Sequence, residues 1–249
     1  MRLAGKTAIV TGGASGFGEG IVRRFTEEGA NVIIADINDQ LGEKIAEDIG
    51  SACAYCHCDV TSQDGLNAAA RMATGTYGSL DIMVNNAGMP QTNQPMLDVD
   101  EDTFQKIFDV NVKSIFLAAK AVVPIMREQG CGSIINTASS AALRPRPGLV
   151  WYNASKGAVT TITKAMAVEL APDQIRVNAL CPVAGDTPML GAFMGGEITN
   201  EMRSAFIATI PMGRFSTPRD MANAALFFAS EDSAFITGVC MEVDGGRCI

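Results

Sequence analysis

Basic residues are in short supply in this sequence: 19 Lys and Arg stand against 27 Asp and Glu, a formal charge of −8. Nucleic acids and membrane surfaces attract clustered Lys and Arg, so neither is an expected partner. Long hydrophobic runs are missing too. Nowhere do 18 apolar residues follow one another, and the opening MRLAGKTAIVTGGASG has no run of signal-peptide length. The expectation is a soluble, cytoplasmic chain whose thiols stay reduced. Its seven cysteines, odd in number and scattered, suit that setting better than a disulfide framework. Linkers, internal repeats and low-complexity tracts are also absent. Residues 1–249 therefore read as one domain, a usual size for a large α/β unit, with apolar content enough for a core without staples.

Histidine is almost lacking, and the only one, His57, lies in CAYCHCDV, residues 53–60. Cys53-Ala54-Tyr55-Cys56-His57 matches the C-x-x-C-H pattern of covalent haem attachment, and Cys58 adds a third thiol. Haem attachment takes place outside the cytoplasm. The run also reads as a strand, on which side chains alternate. Cys53, Tyr55 and His57 would face one way and Cys56 and Cys58 the other, which cannot close a zinc tetrahedron. Small buried hydrophobes on a strand are the better reading, and no metal is expected.

Apolar, β-rich runs at 7–10, 31–35, 52–58, 80–84, 132–136, 174–180 and 238–243 alternate with helical-period stretches at 17–29, 40–49, 62–76, 101–129, 152–171 and 218–229. This alternation predicts an α/β fold: a doubly wound Rossmann domain with a seven-stranded parallel sheet and helices on both faces. Ligands then bind beyond the carboxyl ends of the strands. Residues 183–216, rich in Gly, Met and Phe, break the rhythm and suit a substrate lid.

The first strand runs into Thr11-Gly12-Gly13-Ala14-Ser15-Gly16-Phe17-Gly18, with a helical pattern after it. Such a turn lets backbone amides and a helix N-terminus meet a pyrophosphate; alone it is also an ordinary tight turn. The second strand ends in Asp36, 18 residues beyond Gly18. A carboxylate there accepts from the adenosine ribose hydroxyls and repels a 2′-phosphate. Ile37 and Gly13–Ser15 bring no Arg or Lys to neutralise one, so the expected cofactor is NAD. Asp59, ending the third strand, could reach the adenine edge with Val60 beside it, or could simply N-cap the next helix.

The order of TGGASGFG, Asn85-Asn86-Ala87-Gly88, Asn111, Ser139, Tyr152-Asn153-Ala154-Ser155-Lys156 and Pro182 through Thr187 resembles the short-chain dehydrogenase/reductase family over essentially the whole chain. Phe235-Ile236-Thr237-Gly238 and Val243-Asp244-Gly245-Gly246 resemble its C-terminal signatures. The residues themselves support the chemistry. Tyr152 and Lys156 are four apart on a predicted helix and share a face. A tyrosine titrates near pH ~10, and a neighbouring ammonium and a cationic nicotinamide lower that value toward the range of a working base. Tyr152 would take a proton from an alcohol as hydride leaves the same carbon. Ser139, 13 residues before Tyr152, would hold the substrate oxygen; Ser140 is its rival, and the family spacing favours Ser139. The resemblance further implies that Lys156 holds the nicotinamide ribose, that Asn111 serves a water-mediated proton relay ending at Lys156, that Asn86, Ala87 and Gly88 line the cofactor site, and that the assembly is a homotetramer. The 101–129 and 152–171 helices are candidates for the subunit contact.

After the sixth strand the chain departs from the family pattern. Pro182-Val183-Ala184-Gly185-Asp186-Thr187 has its glycine and β-branched residue exchanged, which leaves the contact at Gly185 open, while Thr187 keeps its place. Met189, Leu190, Phe193 and Met194 could form an apolar lid face or pack on the body. Arg144 and Arg146 could receive a carboxylate, phosphate or sulfonate, although a solvated loop or subunit contact is the plainer reading. The leading expectation is an NAD-dependent dehydrogenase of a secondary alcohol, or reductase of its ketone. The alternative is a 3-oxoacyl thioester reductase, and a distant third is a non-catalytic NAD sensor.

Overall fold

A computed structural model of the chain describes residues 1–187, 189–194 and 199–249. The expected strands form: β1 (Thr7–Thr11), β2 (Asn31–Asp36), β3 (Cys53–His57), β4 (Ile82–Asn85), β5 (Gly132–Thr137), β6 (Ile175–Pro182) and β7 (Cys240–Val243). All pair in parallel, in the order β3-β2-β1-β4-β5-β6-β7. A parallel sheet is covered on both faces, so its inner strands are buried along their length, as TAIVT of β1 illustrates.

The helices are α1 (Gly16–Glu27), α2 (Asp39–Ile49), α3 (Gln63–Tyr77), α4 (Glu101–Phe108), α5 (Ser114–Gln129), α6 (Val150–Leu170), α7 (Leu190–Met194), α8 (Asn200–Ile207) and α9 (Pro218–Ala229). Alternate strand residues supply two cores. Ile9, Ile33 and Met83 meet α3, α5 and the end of α6 on one face, while Ala8, Val10 and Ile34 meet α1 and α9 on the other. The β3 cysteines divide as alternation requires, Cys53 to the second core and Cys56 and Cys58 to the first. Among the described residues no group of three or more His, Cys, Asp or Glu could hold a metal. His57 lies exposed, its Nδ1 2.7 Å from Asp39 Oδ1.

The single helix expected over 101–129 is in fact two, joined by a π turn at Asp109–Lys113. The wider turn carries Asn111 inward, where it is 2 % exposed. Within 183–216, Val183, Leu190, Phe206, Ile210 and Phe215 pack together in a cluster of their own. The chain passes from β3 back across the sheet to β4, so β1 and β4 flank the point where winding reverses. The crevice above their carboxyl ends is where the fold places a ligand.

Candidate active site

A cavity of about 490 Å³ opens at those strand ends. Of the residues singled out from the sequence, it is lined by Gly12, Ser15, Gly16, Phe17, Asp36, Ile37, Asp59, Val60, Asn86, Ala87, Gly88, Ser139, Tyr152, Lys156, Pro182, Gly185 and Thr187. Gly18 and Asn111 lie behind this wall. A Cβ on Gly18 would stand 1.9 Å from the Gly12 carbonyl oxygen, so only glycine lets α1 begin this close to β1. The Thr11 hydroxyl accepts from the amides of Asn86 and Ala87 at 3.0 and 3.1 Å, and the Asn86 side chain donates to the carbonyls of Thr11 and Gly12. The two loops beside the reversal point are thereby locked together.

At one end of the cavity, Asp36 accepts from the amides of Ala14 and Asn38, each at 3.0 Å, which fixes its carboxylate against the glycine turn. Asp59 Oδ1 accepts from the Thr61 amide and hydroxyl at 2.8 and 2.7 Å. It does not N-cap the following helix; Ser62 does, accepting from Gly65. Asp59 instead stiffens a turn that faces the cavity.

At the other end Ser139, Tyr152 and Lys156 converge, 7 %, 8 % and 4 % exposed. Burial pushes the Tyr152 hydroxyl up to about 12, with the neighbouring Ser139 hydroxyl opposing the rise. Burial also brings the Lys156 ammonium down to about 8. Its Nζ donates to the Thr137 carbonyl at 2.7 Å and stands 5.9 Å from the centre of the Tyr152 ring. Ser140 also lines the cavity, but it starts a short 3-10 turn, while the Ser139 hydroxyl accepts from the Ala141 amide at 3.1 Å and is the serine that bears on the Tyr152 hydroxyl. Asn111 has its amide committed: Oδ1 accepts from the Met89 amide at 2.8 Å, and Nδ2 donates to Met89 O and Ser155 Oγ, both at 3.0 Å. It braces the loop after β4 against α6. A Cβ on Gly88 would come within 3.4 Å of Asn111 Oδ1 and 3.5 Å of Lys156 Nζ, so glycine keeps the space between them open.

The exchange at 183–185 has a steric reason. A Cβ at Gly185 would stand 2.3 Å from the Phe17 ring, while Val183 is buried in the cluster of residues 183–215. The lid question resolves both ways. Leu190 packs into that cluster and Phe193 meets the Tyr152 ring edge-on at 4.9 Å. Met189 is 37 % exposed; the Met194 side chain lies outside the described residues, as do Pro188 and 195–198.

Two contributors escaped the sequence reading. Gln91, fully buried, accepts through Oε1 from the amides of Trp151 and Tyr152 at 3.1 and 3.0 Å and donates to Gly148 O at 3.1 Å. Arg247, near the C-terminus, lines the cavity with Arg144 and Arg146. The signal for Gln91 was Leu149, which has no side chain able to cap α6. Nothing local marks Arg247.

The geometry fits a dinucleotide: a cradle closed to any side chain at Gly18, a fixed carboxylate at Asp36, and a buried Tyr-Lys-Ser group at the opposite end. A family model described as enoyl-(acyl carrier protein) reductase matches residues 12–247. The chain is 44 % identical to 4-formylbenzenesulfonate dehydrogenase TsaC1/TsaC2 of Comamonas testosteroni over the full length of both. It is 39 % identical to secoisolariciresinol dehydrogenase of Forsythia intermedia, covering 98 % of this chain and 90 % of that protein. A crystal structure of 3-ketoacyl-(acyl-carrier-protein) reductase from Brucella melitensis, complexed with NADH, superposes with a TM-score of 0.94 at 43 % identity, covering 99 % of this chain and 100 % of the other.

Proposed function

The chain belongs to the short-chain dehydrogenase/reductase family, and from that premise we propose an NAD-dependent oxidoreductase moving a hydride between a secondary alcohol, or its ketone, and NAD. The observation that carries this reading is the convergence of Ser139, Tyr152 and Lys156 at one end of the cavity whose other end holds Asp36. The bound nicotinamide supplies the hydride acceptor and, when oxidised, a positive charge. Tyr152 is the acid/base: alone in its buried setting it keeps its proton, and positive charge beside the ring favours the phenolate. Lys156, whose Nζ donates to Thr137 O, would supply part of that charge and hold the nicotinamide ribose. Ser139 holds the substrate oxygen at the tyrosine. Gly12, Ser15, Gly16 and Phe17 would cradle the pyrophosphate, with Gly18 behind them letting α1 start close to β1; Asp36 and Ile37 would take the adenosine ribose, and Asp59 and Val60 the adenine. Asn86, Ala87, Gly88, Pro182, Gly185 and Thr187 surround the nicotinamide half. Asn111 is read as a positioning residue for the loop and for the proton path to Lys156.

Tyr152→Phe tests the assignment: alcohol-dependent NADH formation should fall by roughly 10³-fold or more while NADH binding, followed by fluorescence, persists. Retained turnover would overturn it. The relatives' names give a formylbenzenesulfonate and secoisolariciresinol as substrates, which supports a dehydrogenase. The second reading, 3-oxoacyl thioester reduction, is favoured by the solved neighbour, which carries that name and holds NADH. An Asp36-type preference for NAD therefore does not argue against it, and assay with a 3-hydroxyacyl thioester separates the two.

The same proposal includes one domain, residues 1–249, a cytoplasmic setting and a homotetramer. Free thiols at all seven cysteines support the setting. Exposed Phe116 on α5 and Val168 on α6, 60 % and 79 % accessible, support contacts through those helices. Light scattering should give four times the 26.2 kDa chain mass, and a monomer would refute the assembly.

A further inference from the structure

We infer that Arg144, Arg146 and Arg247 form an anion-binding pole of the substrate pocket, so that the favoured substrate is an alcohol or carbonyl compound whose flat, apolar body ends in a carboxylate or sulfonate. The inference rests on the dehydrogenase reading and names its substrate class.

All three guanidinium-bearing residues line the cavity that contains Ser139 and Tyr152. Two of them share one aromatic ring. The Arg146 guanidinium carbon lies 4.7 Å, and that of Arg247 6.0 Å, from the centre of Phe206. Arg144 Nη1 donates to Arg247 O at 2.6 Å, which ties the C-terminal segment to the loop after β5. Asn153 Nδ2 donates to Arg146 O at 2.9 Å, which ties that loop to the helix carrying Tyr152. The cluster is thus built into the catalytic frame from two distant parts of the chain.

Among the described residues its charge has no carboxylate partner, whereas Arg127, Arg203 and Arg214 each hold one at 2.6–2.7 Å. In a chain of net charge −8, three arginines on one wall with no carboxylate partner among the described residues stand out. Burial, and then the positive charge of Arg247, hold the Arg146 guanidinium below its ordinary value, as expected where no anion sits between them. The cofactor does not supply that anion from its adenosine end. Asp36 ends β2 while Arg144 and Arg146 follow β5, and β1 and β4 lie between. Three strand spacings amount to about 14 Å. Phe193 lies against the Tyr152 ring, Phe206 under Arg146 and Arg247, and Leu190 packs with Phe206, so the same wall carries an apolar stretch. A forked guanidinium suits a planar or tetrahedral oxyanion, and the apolar stretch suits an uncharged body joining it to the reacting carbon.

The test uses matched secondary alcohols, 4-(1-hydroxyethyl)benzoate, 4-(1-hydroxyethyl)benzenesulfonate and neutral 1-(4-methylphenyl)ethanol, with NAD and the full chain. Wild type is compared with R146Q, R247Q and the charge-keeping R146K, each checked for folding by thermal unfolding. In parallel, calorimetry follows binding of 4-methylbenzoate and 4-methylbenzenesulfonate to the protein with NADH. The anionic-to-neutral ratio of kcat/KM should be about 100 in wild type, fall at least roughly tenfold in R146Q and R247Q, and lie between in R146K. Calorimetric binding should weaken in the same order. A wild-type ratio near one, or a ratio unmoved in both glutamine variants, overturns the pole. Turnover of the neutral alcohol without anion preference would leave the dehydrogenase standing and remove the pole. Arginine-dependent anion binding with no NADH formed from any alcohol would do the reverse.

Discussion

Gln91→Met removes a helix cap that the chain supplies from sixty residues away. The first amides of a helix have no partner inside it, and α6 opens after Leu149, whose side chain cannot accept. Gln91 Oε1 serves the Trp151 and Tyr152 amides instead, and its Nε2 satisfies Gly148 O. Methionine keeps the length and removes every polar atom. Each buried group left without a partner costs about 1–3 kcal/mol, and local relaxation recovers part, so about 2–5 kcal/mol is expected. For a chain of this size that lowers Tm by roughly 5–15 °C. Because the Tyr152 amide is one of the groups released, the hydroxyl shifts with the first turn of α6. A displacement near 1 Å costs on the order of 10²-fold in kcat. Gln91→Glu keeps the acceptor, at a helix N-terminus where negative charge is favourable, and loses only the Gly148 bond. It should fall between wild type and Gln91→Met in Tm. Its carboxylate beside Tyr152 should move the acid limb of the kcat profile for alcohol oxidation to higher pH. Circular dichroism melts and steady-state kinetics read both effects. A Gln91→Met protein melting within about 1 °C of wild type with unchanged kcat would refute the capping argument.

Two further perturbations follow from the site. Burial brings Lys156 down from 10.5 to about 8, so between those values the unfolded chain holds a proton that the folded chain lacks, and stability rises with pH. Lys156→Met loses that rise: its Tm relative to wild type should fall from pH 8 to pH 10, below the range where Tyr152, raised to about 12, acts in the opposite sense. A difference flat across that window would show the ammonium is not held down. Gly18→Ala puts a methyl 1.9 Å from Gly12 O and 2.7 Å from Asn86 Nδ2. Overpacking of this kind costs about 1–3 kcal/mol, so NADH affinity by fluorescence titration should weaken about 10–100-fold. Gly75→Ala on α3, where a Cβ meets nothing within 4 Å, should instead raise Tm slightly. Equal NADH affinities in the two variants would count against the cradle.

What could be read from the sequence was what one strand-turn-helix unit encodes. Gly12 through Gly18 lie between β1 and α1, and Asp36 closes the next strand, so period and spacing sufficed. Tyr152 and Lys156 share a face of α6 by helical geometry alone. The π turn at 109–113 was hidden because its flanks keep the helical period, and the extra residue appears only as a rotation of Asn111 into the core. The exchange at 183–185 stood out as a departure from the motif until Phe17, in the first turn of α1, was seen to need the space at Gly185.

Contacts set by the order of strands are of a different kind. Arg247 reaches Arg144 because β7 and β5 lie on either side of β6, a neighbourhood no local pattern records. Gln91 is intermediate, because its partners are distant but their need is local. Any helix start lacking a Ser, Thr, Asp or Asn must find its acceptor elsewhere, and if its first turn is buried that acceptor must be protein or trapped water. Once the structure starts α6 at Val150, two residues earlier than the period suggested, Leu149 shows that a partner is missing without naming it. The residue that answers also fixes the backbone of the proposed acid/base, so the cap and the chemistry stand or fall together.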